Sequence, residues 1–527
     1  MPSTQVMVTI TLSEAKTSTA IGPGVSLDRF FSIVLNDAGQ VVFSATLAGA
    51  GVDTTNSIGI FSGSGDTLGV VVRQGDTVPG TNLNFGGLSL PILNDAGQIV
   101  FRARLNGPDV TTRNDFGIVS DANGVVGLVA REGDSAPVAR TGVRFDSFVN
   151  EAIVMNNAGN TAFATTLTGT GVTTLNDVGI YSASGDMRNL VARKDIFAPV
   201  GEPDVAFRFS FSKPVLNGSG QLAFSAILKG TGVDLANDTG LFSYSGDTLS
   251  LVVREGAPIA NAGPGVNLGH IGDPTLNDAG ETAFWATVAG VGVDSTSNTG
   301  IFSVSANTLN LVAREGDAAP GAGAGVKLSE FDSPVLSDTG RVAFFADLAG
   351  TGLNGRNDSG LLTESNGELS LLAREGAQTP GTQQGVNFRG FGPPTLNGAD
   401  QVAFGAVLTG AGVNSTNDMA IFATDQTDIL RLVVREGDLF DVDPAPLATD
   451  FRTINSVGFI PGSGGSDGRS RSFNDAGQLA FKLGFTDGTE GVFVATIGVP
   501  EPTSMMLLVL QRLDAIVWPL QIRLTHA

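Results

Sequence analysis

The chain contains no cysteine. Disulfides, thiolate zinc sites, iron–sulfur clusters and a cysteine nucleophile are therefore excluded. Histidine is almost absent, with only His270 and His526 in 527 residues. A histidine-rich metal site is excluded, and a Ser-His-Asp triad has one realistic histidine, His270. Basic residues are scarce too, since 30 Lys and Arg face 52 Asp and Glu for a net charge of −22. With no basic run anywhere, nucleic acid is not an expected partner, because its phosphates would be repelled. No apolar run approaches the ~20 residues a membrane-spanning helix needs, so no stable transmembrane helix is expected. Met1–Leu12 shows neither the basic start nor the ~7–15-residue apolar core of a secretory signal peptide. GxSxG, P-loop, HExxH and dinucleotide-binding patterns are all missing.

Phenylalanine is abundant, at 32 residues beside 2 Trp and 2 Tyr, together with 71 Gly and 23 Pro. The length alone suggests three or four domains at ~150 residues each. Internal repetition overrules that count. "LNDAGQVVFSATL" at Leu35–Leu47 returns as "LNDAGQIVFRARL", "MNNAGNTAFATTL", "LNGSGQLAFSAIL", "LNDAGETAFWATV", "LSDTGRVAFFADL", "LNGADQVAFGAVL" and "FNDAGQLAFKLGF". The aligned phenylalanines are Phe43, Phe101, Phe163, Phe224, Phe284, Phe344, Phe404 and Phe481, spaced 58, 62, 61, 60, 60, 60 and 77 residues apart.

Each unit reads as four strands. A first strand ends at the "NDAG" turn, where Gly supplies positive φ. The second, Gln40–Leu47 in the first copy, alternates with period two, placing Val41, Phe43, Ala45 and Leu47 on one face. A longer hairpin loop leads to a "GIFS" strand, and a tight turn leads to a fourth strand such as "TLGVVVR". A Gly/Pro-rich crossover opens the next unit. The expected fold class is all-β, a β-propeller of eight four-stranded blades. The last unit lacks a fourth strand after Gly491–Ile497, and "VMVTITL" (Val6–Leu12) has no unit of its own. That N-terminal strand is expected to complete the eighth blade. Residues 1–27 then form the closing strand and its crossover, 28–498 the ring, and 499–527 a tail. The alternatives are seven blades with a displaced unit, two smaller rings, or an open stack, although a stack would need polar caps at both ends.

The repeated polar residues read first as structure. Arg73, Arg131, Arg193, Arg254, Arg314, Arg374 and Arg435 each end a fourth strand. They suit backbone carbonyls or carboxylates of a neighbouring hairpin, or else a ring of anion sites. The turn positions Asn36, Asn94, Asn156, Asn217, Asn277, Asn397 and Asn474, with Ser337 in the sixth copy, read as Asx turns bonded to their own backbone. The second-strand phenylalanines read as core. Oxygen-bearing hairpin loops, such as Asp234, Asn237 and Asp238 or Asp294 and Asn298, are weak calcium candidates, because the spacing is not that of an EF-hand. The one irregular stretch, Asp438–Ser472, carries Asp438, Asp441, Asp443 and Asp450 and accounts for the 77-residue spacing. It reads as a decorated loop, or as a binding face if function interrupts the repeat.

Two features carry a resemblance. "VPEP" at Val499, Pro500, Glu501 and Pro502, followed by apolar Met505–Leu510, resembles the PEP-CTERM sorting signal of bacterial envelope proteins. The tail departs from that pattern at Gln511, Arg512 and Asp514 and lacks a terminal arginine cluster. The repeat core "NxxGxxAF", as in Asn217–Phe224 and Asn277–Phe284, resembles tandem repeats of such surface proteins. The resemblance implies an extracellular or cell-surface address and processing by an exosortase-type transpeptidase. The expected function is a non-enzymatic scaffold or binding module for polysaccharide or matrix protein, without a cofactor. One alternative is an extracellular polysaccharide-acting enzyme using carboxylates. The other is a calcium-stiffened structural module.

Overall fold

The structure, a computed structural model, describes residues 7–12, 21–64, 67–138, 141–442, 449–462 and 467–498. Among them there are strands, turns and loops but no helix. The strands form eight small antiparallel sheets that close into an eight-bladed β-propeller. The first blade runs Val25–Leu35, Val41–Gly49, Ile58–Ser64, Thr67–Arg73 in spatial order. First-strand segments of successive blades touch one another, so they line the axis and fourth strands lie outermost. The "NDAG" turns and outer hairpin turns share one face of the ring, the turn face. The long hairpin loops and crossovers share the opposite, loop face.

The first strand departs from the expected single segment. In blades 2, 4, 5, 6 and 7 it is two pieces on one partner, the second being Ile92–Leu93, Val215–Leu216, Thr275–Leu276, Val335–Leu336 or Thr395–Leu396. Proline explains the split. Pro91, Pro214, Pro274, Pro334 and Pro394 directly precede these short pieces, and proline cannot donate to a ladder. Blades 1 and 3 carry Ile33 and Ile153 near this point, and their first strands run unbroken over Val25–Leu35 and Val143–Met155.

The second strand is each blade's middle and is packed on both faces. All eight of its phenylalanines are at most 1% exposed. Most stack on a third-strand ring, as Phe224 does on Phe242 at 5.8 Å and Phe404 on Phe422, also at 5.8 Å. The third-strand glycine allows this approach, because a Cβ on Gly59 would sit 2.7 Å from the Phe61 ring. The apolar clusters fill the spaces between blades rather than the blades themselves. One unites Ala162 and Ile180 of blade 3 with Phe224 and Phe242 of blade 4.

Closure uses both chain ends. Met7–Leu12 pairs antiparallel with Glu490–Thr496 as the outermost strand of blade 8. Ala480, Val492 and Val494 of that blade pack on Val41, Phe43 and Phe61 of blade 1. Blade 8 also gains Leu439–Asp441, paired to Phe451–Thr453 on its axial edge. Elsewhere this contact is a single bridge, such as Pro258 to Asn267.

Candidate functional site: a channel closed at one end

The turn asparagines do more than close their own turns. Asn36 Oδ1 accepts the Gln40 N–H at 2.9 Å, as an Asx residue should. Its Nδ2 donates to the Asn94 carbonyl of the next blade at 3.0 Å. The same bond runs from Asn94 to Asn156, Asn156 to Asn217, Asn217 to Asn277, Asn277 to Ser337, Asn397 to Asn474 and Asn474 back to Asn36, at 2.8–3.1 Å. This is a belt of buried amides around the axis. Its one break is at blade 6, where Ser337 is too short. There Ser337 Oγ reaches Asp400 Oδ1 at 2.6 Å and Arg341 Nη1 donates to the Asp400 carbonyl at 2.8 Å. Sequence reading missed the belt, because its partners lie a whole repeat apart.

A second ring lies one residue on. The N–H groups of Asp37, Asp95, Asp278 and Asp475 donate to side chains of Asp95, Asn157, Asp338 and Asp37 respectively, at 2.9–3.2 Å. Gly218 and Gly398 donate to Asp278 and Asp475 at 2.6 Å. Carboxylates are thus crowded on the turn face. Burial, reinforced by Asp278 and Asp475, pushes Asp338 up to about 6.

The irregular stretch enters this end of the channel. Its carbonyls accept the N–H groups of Leu35 (from Arg471 O, 2.9 Å), Met155 (Gly468 O, 3.0 Å), Leu216 (Asp467 O, 2.9 Å) and Leu396 (Gly462 O, 3.3 Å). These four donors stand just before the belt residues of blades 1, 3, 4 and 7. Arg469 Nη2 reaches the Pro274 carbonyl at 3.1 Å. Arg471, buried, meets Asp37 at 3.0 Å and also pairs with Asp95. The chain therefore plugs its own channel at the turn face. Asp467 is 1% exposed; among the described residues its Oδ2 faces Arg469 Nη1 at 3.7 Å without a hydrogen bond, and burial raises its pKa. The decorated-loop and binding-face readings of this stretch both missed its course into the channel. Gly- and Ser-rich sequence bonded through backbone carbonyls has no side-chain signature.

At the loop face, the seven strand-ending arginines take the carbonyl role. Nε of Arg73, Arg131, Arg193, Arg254, Arg314, Arg374 and Arg435 donates to the carbonyls of Asn56, Asn114, Asn176, Asn237, Ser297, Asn357 and Asn417 at 2.7–3.3 Å. The following glutamate caps the third strand, as Glu255 Oε2 does for Thr239 N–H at 3.0 Å and Thr239 Oγ1 at 2.9 Å. Burial and neighbouring Asp115 push Glu132 up to about 7, against the opposing pull of Arg102. Of the calcium candidates, Asp234 Oδ1 accepts the Ala236 N–H and Asn237 Oδ1 the Asp234 N–H, both at 2.9 Å. Asp238 lies beside Glu255 instead. Asp294 Oδ1 is likewise bonded to Thr296 within its own loop at 2.9 Å, and the Asn298 N–H donates to Glu315 at 3.1 Å. Among the described residues no three Asp, Glu or His side chains cluster as a metal site would require. His270 is exposed on its first strand, its N–H held by Thr287 Oγ1 at 2.7 Å.

In the irregular stretch, Asp450 bonds Asp441 through its N–H at 2.9 Å and pairs with Arg452 at 2.8 Å, while burial raises Asp438. Asp443, His526 and the Val499–Pro502 box with the tail after it lie outside the described residues. An open groove of about 630 Å³ lies between the blade 6 hairpin loop and blade 7, lined by Arg356, Arg374, Glu375 and Asn387 among others.

Residues 8–258 and 226–506 match one family in two successive, slightly overlapping stretches. The chain belongs to DUF7453, a family of unknown function. No curated protein matches this DUF7453 chain. Among solved structures, it is similar to an oligogalacturonate lyase in complex with manganese, at 10% identity and a TM-score of 0.38, over 89% of this chain and 98% of that one. It is similar to a puromycin hydrolase at 12% identity and 0.37, over 91% of this chain and 62% of that one. It is similar to an α-L-arabinanase of Penicillium chrysogenum at 12% identity and 0.27, over 64% of this chain and 94% of that one. At these identities no site residue carries over to the DUF7453 chain. Among its described residues no helix is long and apolar enough to cross a membrane.

Proposed function

We propose that this chain is a non-enzymatic binding propeller of a bacterial cell surface or extracellular matrix, holding polysaccharide or matrix protein. One observation carries the reading. The polar residues that repeat around the ring are engaged with the protein's own backbone: belt asparagines with the next blade, arginines with hairpin carbonyls, glutamates with strand-start N–H groups. Such groups build a scaffold and leave little chemistry to a reacting substrate. The surface address rests on the resemblance of Val499–Pro502 to a sorting box, which also makes an exosortase-type enzyme the processing partner.

A second reading is an enzyme acting on polysaccharide through carboxylates; Glu132, raised to about 7, is buried and holds the Phe116 N–H, so it belongs to the strand caps and not to such a site. A polysaccharide and glycan binding screen, with product analysis on every hit, separates the two. Retention without products supports the scaffold, and released sugar overturns it.

A further inference from the structure

The groove between the blade 6 hairpin loop and blade 7 departs from the repeat at two positions that line it. The first is in the loop. In blades 1, 5 and 7 the position is Thr55, Thr296 or Thr416. The N–H and hydroxyl of each donate to the side chain two residues back, Asp53, Asp294 or Asn414, at 2.6–2.9 Å. Blade 6 carries Arg356 there, and its N–H donates to the Asn354 carbonyl instead. The Asn354 side chain is thereby released. Among the described residues no hydrogen bond holds it or the Arg356 guanidinium.

The second position is in the crossover. Asp76, Asp134, Asp317 and Asp438 follow the fourth strands of blades 1, 2, 5 and 7, and Asp76 Oδ2 accepts the Arg73 N–H at 2.7 Å. Blade 6 has Ala377 at this place, which takes a carboxylate away and leaves room. Blade 2 has an arginine in its loop, Arg113, but keeps Asp134. Blade 4 has Ala257 in its crossover, but Ala236 where the arginine would stand. Of blades 1 to 7, blade 6 alone joins a gained cation to a lost carboxylate. The other charges of the groove are committed. Arg374 donates to the carbonyls of Ala322 at 2.6 Å and Asn357 at 3.3 Å. Glu375 is 6% exposed and accepts Ser359 Oγ at 3.4 Å, and burial, with the Asp358 side chain bonded to it, raises its pKa.

We infer that this groove binds a polyhydroxy carboxylate of the hexuronate class. Arg356 offers a planar fork of donors that fits a carboxylate, and it is exposed and unengaged. One free guanidinium beside buried acids suits a single negative charge better than a phosphate's two. The amides of Asn354 and Asn387 and the hydroxyl of Thr409 line the same space, and each can donate and accept, as sugar hydroxyls require. About 630 Å³ lies within the ~300–1,000 Å³ of ordinary small-molecule sites. The ligand can be a free sugar acid or the acidic unit of a glycan, since both present the same group. The site gives the proposed binding function a place and a ligand chemistry, and rests on that reading.

The test is calorimetric titration of the full chain with hexuronates, with linked hexuronate oligomers and with the matching neutral hexoses. It is repeated with Arg356→Thr, which restores the residue of blades 1, 5 and 7, with Ala377→Asp, which restores the missing carboxylate, and with Arg113→Thr in blade 2 as control. All three positions are exposed, so melting temperatures should stay near the parent's. The expected result is saturable binding of a hexuronate at one site, with the neutral hexose at least about tenfold weaker. Arg356→Thr should weaken the hexuronate about tenfold or more, Ala377→Asp should weaken it as well, and Arg113→Thr should leave it unchanged. Binding of monomers supports a free sugar acid as ligand, and binding of oligomers alone supports a glycan. Hexuronate binding that survives Arg356→Thr, or a hexose bound as tightly as its acid, overturns the inference. Neutral glycans bound with no hexuronate also overturn it while the proposed binding function stands, whereas no glycan of either kind bound removes both.

Discussion

The two ends of the channel are built from the same first strands and end up opposite in character. At the turn face the residues repeat: seven asparagines, their Asp neighbours and an apolar residue before each turn. Everything there is buried or bonded, and the irregular stretch is drawn in to finish the closure. At the loop-face end, four to eight residues earlier in the same strands, hardly two blades agree. Phe31, Leu90, Val149 and Phe209 give way to His270, Asp332 and Arg389, and all are exposed. Repetition therefore marks where a ring must hold itself together, and departure from it marks where the ring is free to meet something else.

Closure should carry the largest effect. Deleting residues 1–12 leaves the Glu490–Thr496 edge unpaired and the eighth blade short. We expect a fall in melting temperature of about 10 °C or more, together with edge-to-edge oligomers in light scattering. An unchanged, monomeric melt would mean the ring holds without its last strand. Next come two phenylalanines of blade 4. Phe224→Ala, in the core, should cost about 3–5 kcal/mol by denaturant unfolding. Phe209→Ala, exposed on the first strand, should stay within about 0.5 kcal/mol. Similar costs would erase the contrast between the buried repeat and the exposed departures from it.

The belt offers a narrower test. Asn474→Ala removes the Nδ2 bond to Asn36 and the Oδ1 bond to Gln478 at 2.8 Å, and orphans buried groups. The expected cost is about 2–3 kcal/mol. Asn366→Gly, in an exposed outer turn where φ is 54°, should cost almost nothing.

The smallest effects are in pH dependence, and they separate the faces. Glu132 rises from its usual 4.5 to about 7 on folding, so the folded protein binds more protons than the unfolded chain between those values. Its contribution therefore favours folding at low pH and is lost as pH rises from about 4.5 to 7. Asp338, raised from 3.8 to about 6, acts in the same sense over that lower window. Glu132→Gln should flatten the stability profile between about pH 4.5 and 7, and Asp338→Asn between about pH 3.8 and 6. Identical profiles for parent and variants would refute both assignments.

Much of the ring was legible in the sequence because its signals are local and recur. The period-two faces around Phe43 and its counterparts, the "NDAG" turns and the orphan strand before Leu12 gave the blade count and the closure. The proline before Leu93, Leu216 and Leu276 was equally visible, and only its effect on the first strand went unread. The belt and the plug were hidden for a different reason. An asparagine that closes its own turn looks the same whether or not its Nδ2 reaches another blade. Gly462, Asp467, Gly468 and Arg471 hold the first strands through carbonyls, which every residue has.

The pairing of Met7–Leu12 with Glu490–Thr496 also sets a timetable for synthesis. Of the ring's strands, the one made earliest waits longest for its neighbour. At about 5–20 residues per second, it waits roughly half a minute to a minute and a half for residue 490 to appear. Through that interval seven blades can form in sequence while both flanks of the nascent arc stay open. A holding chaperone would matter most during that wait, and a slow-translating stretch anywhere before residue 490 would lengthen it.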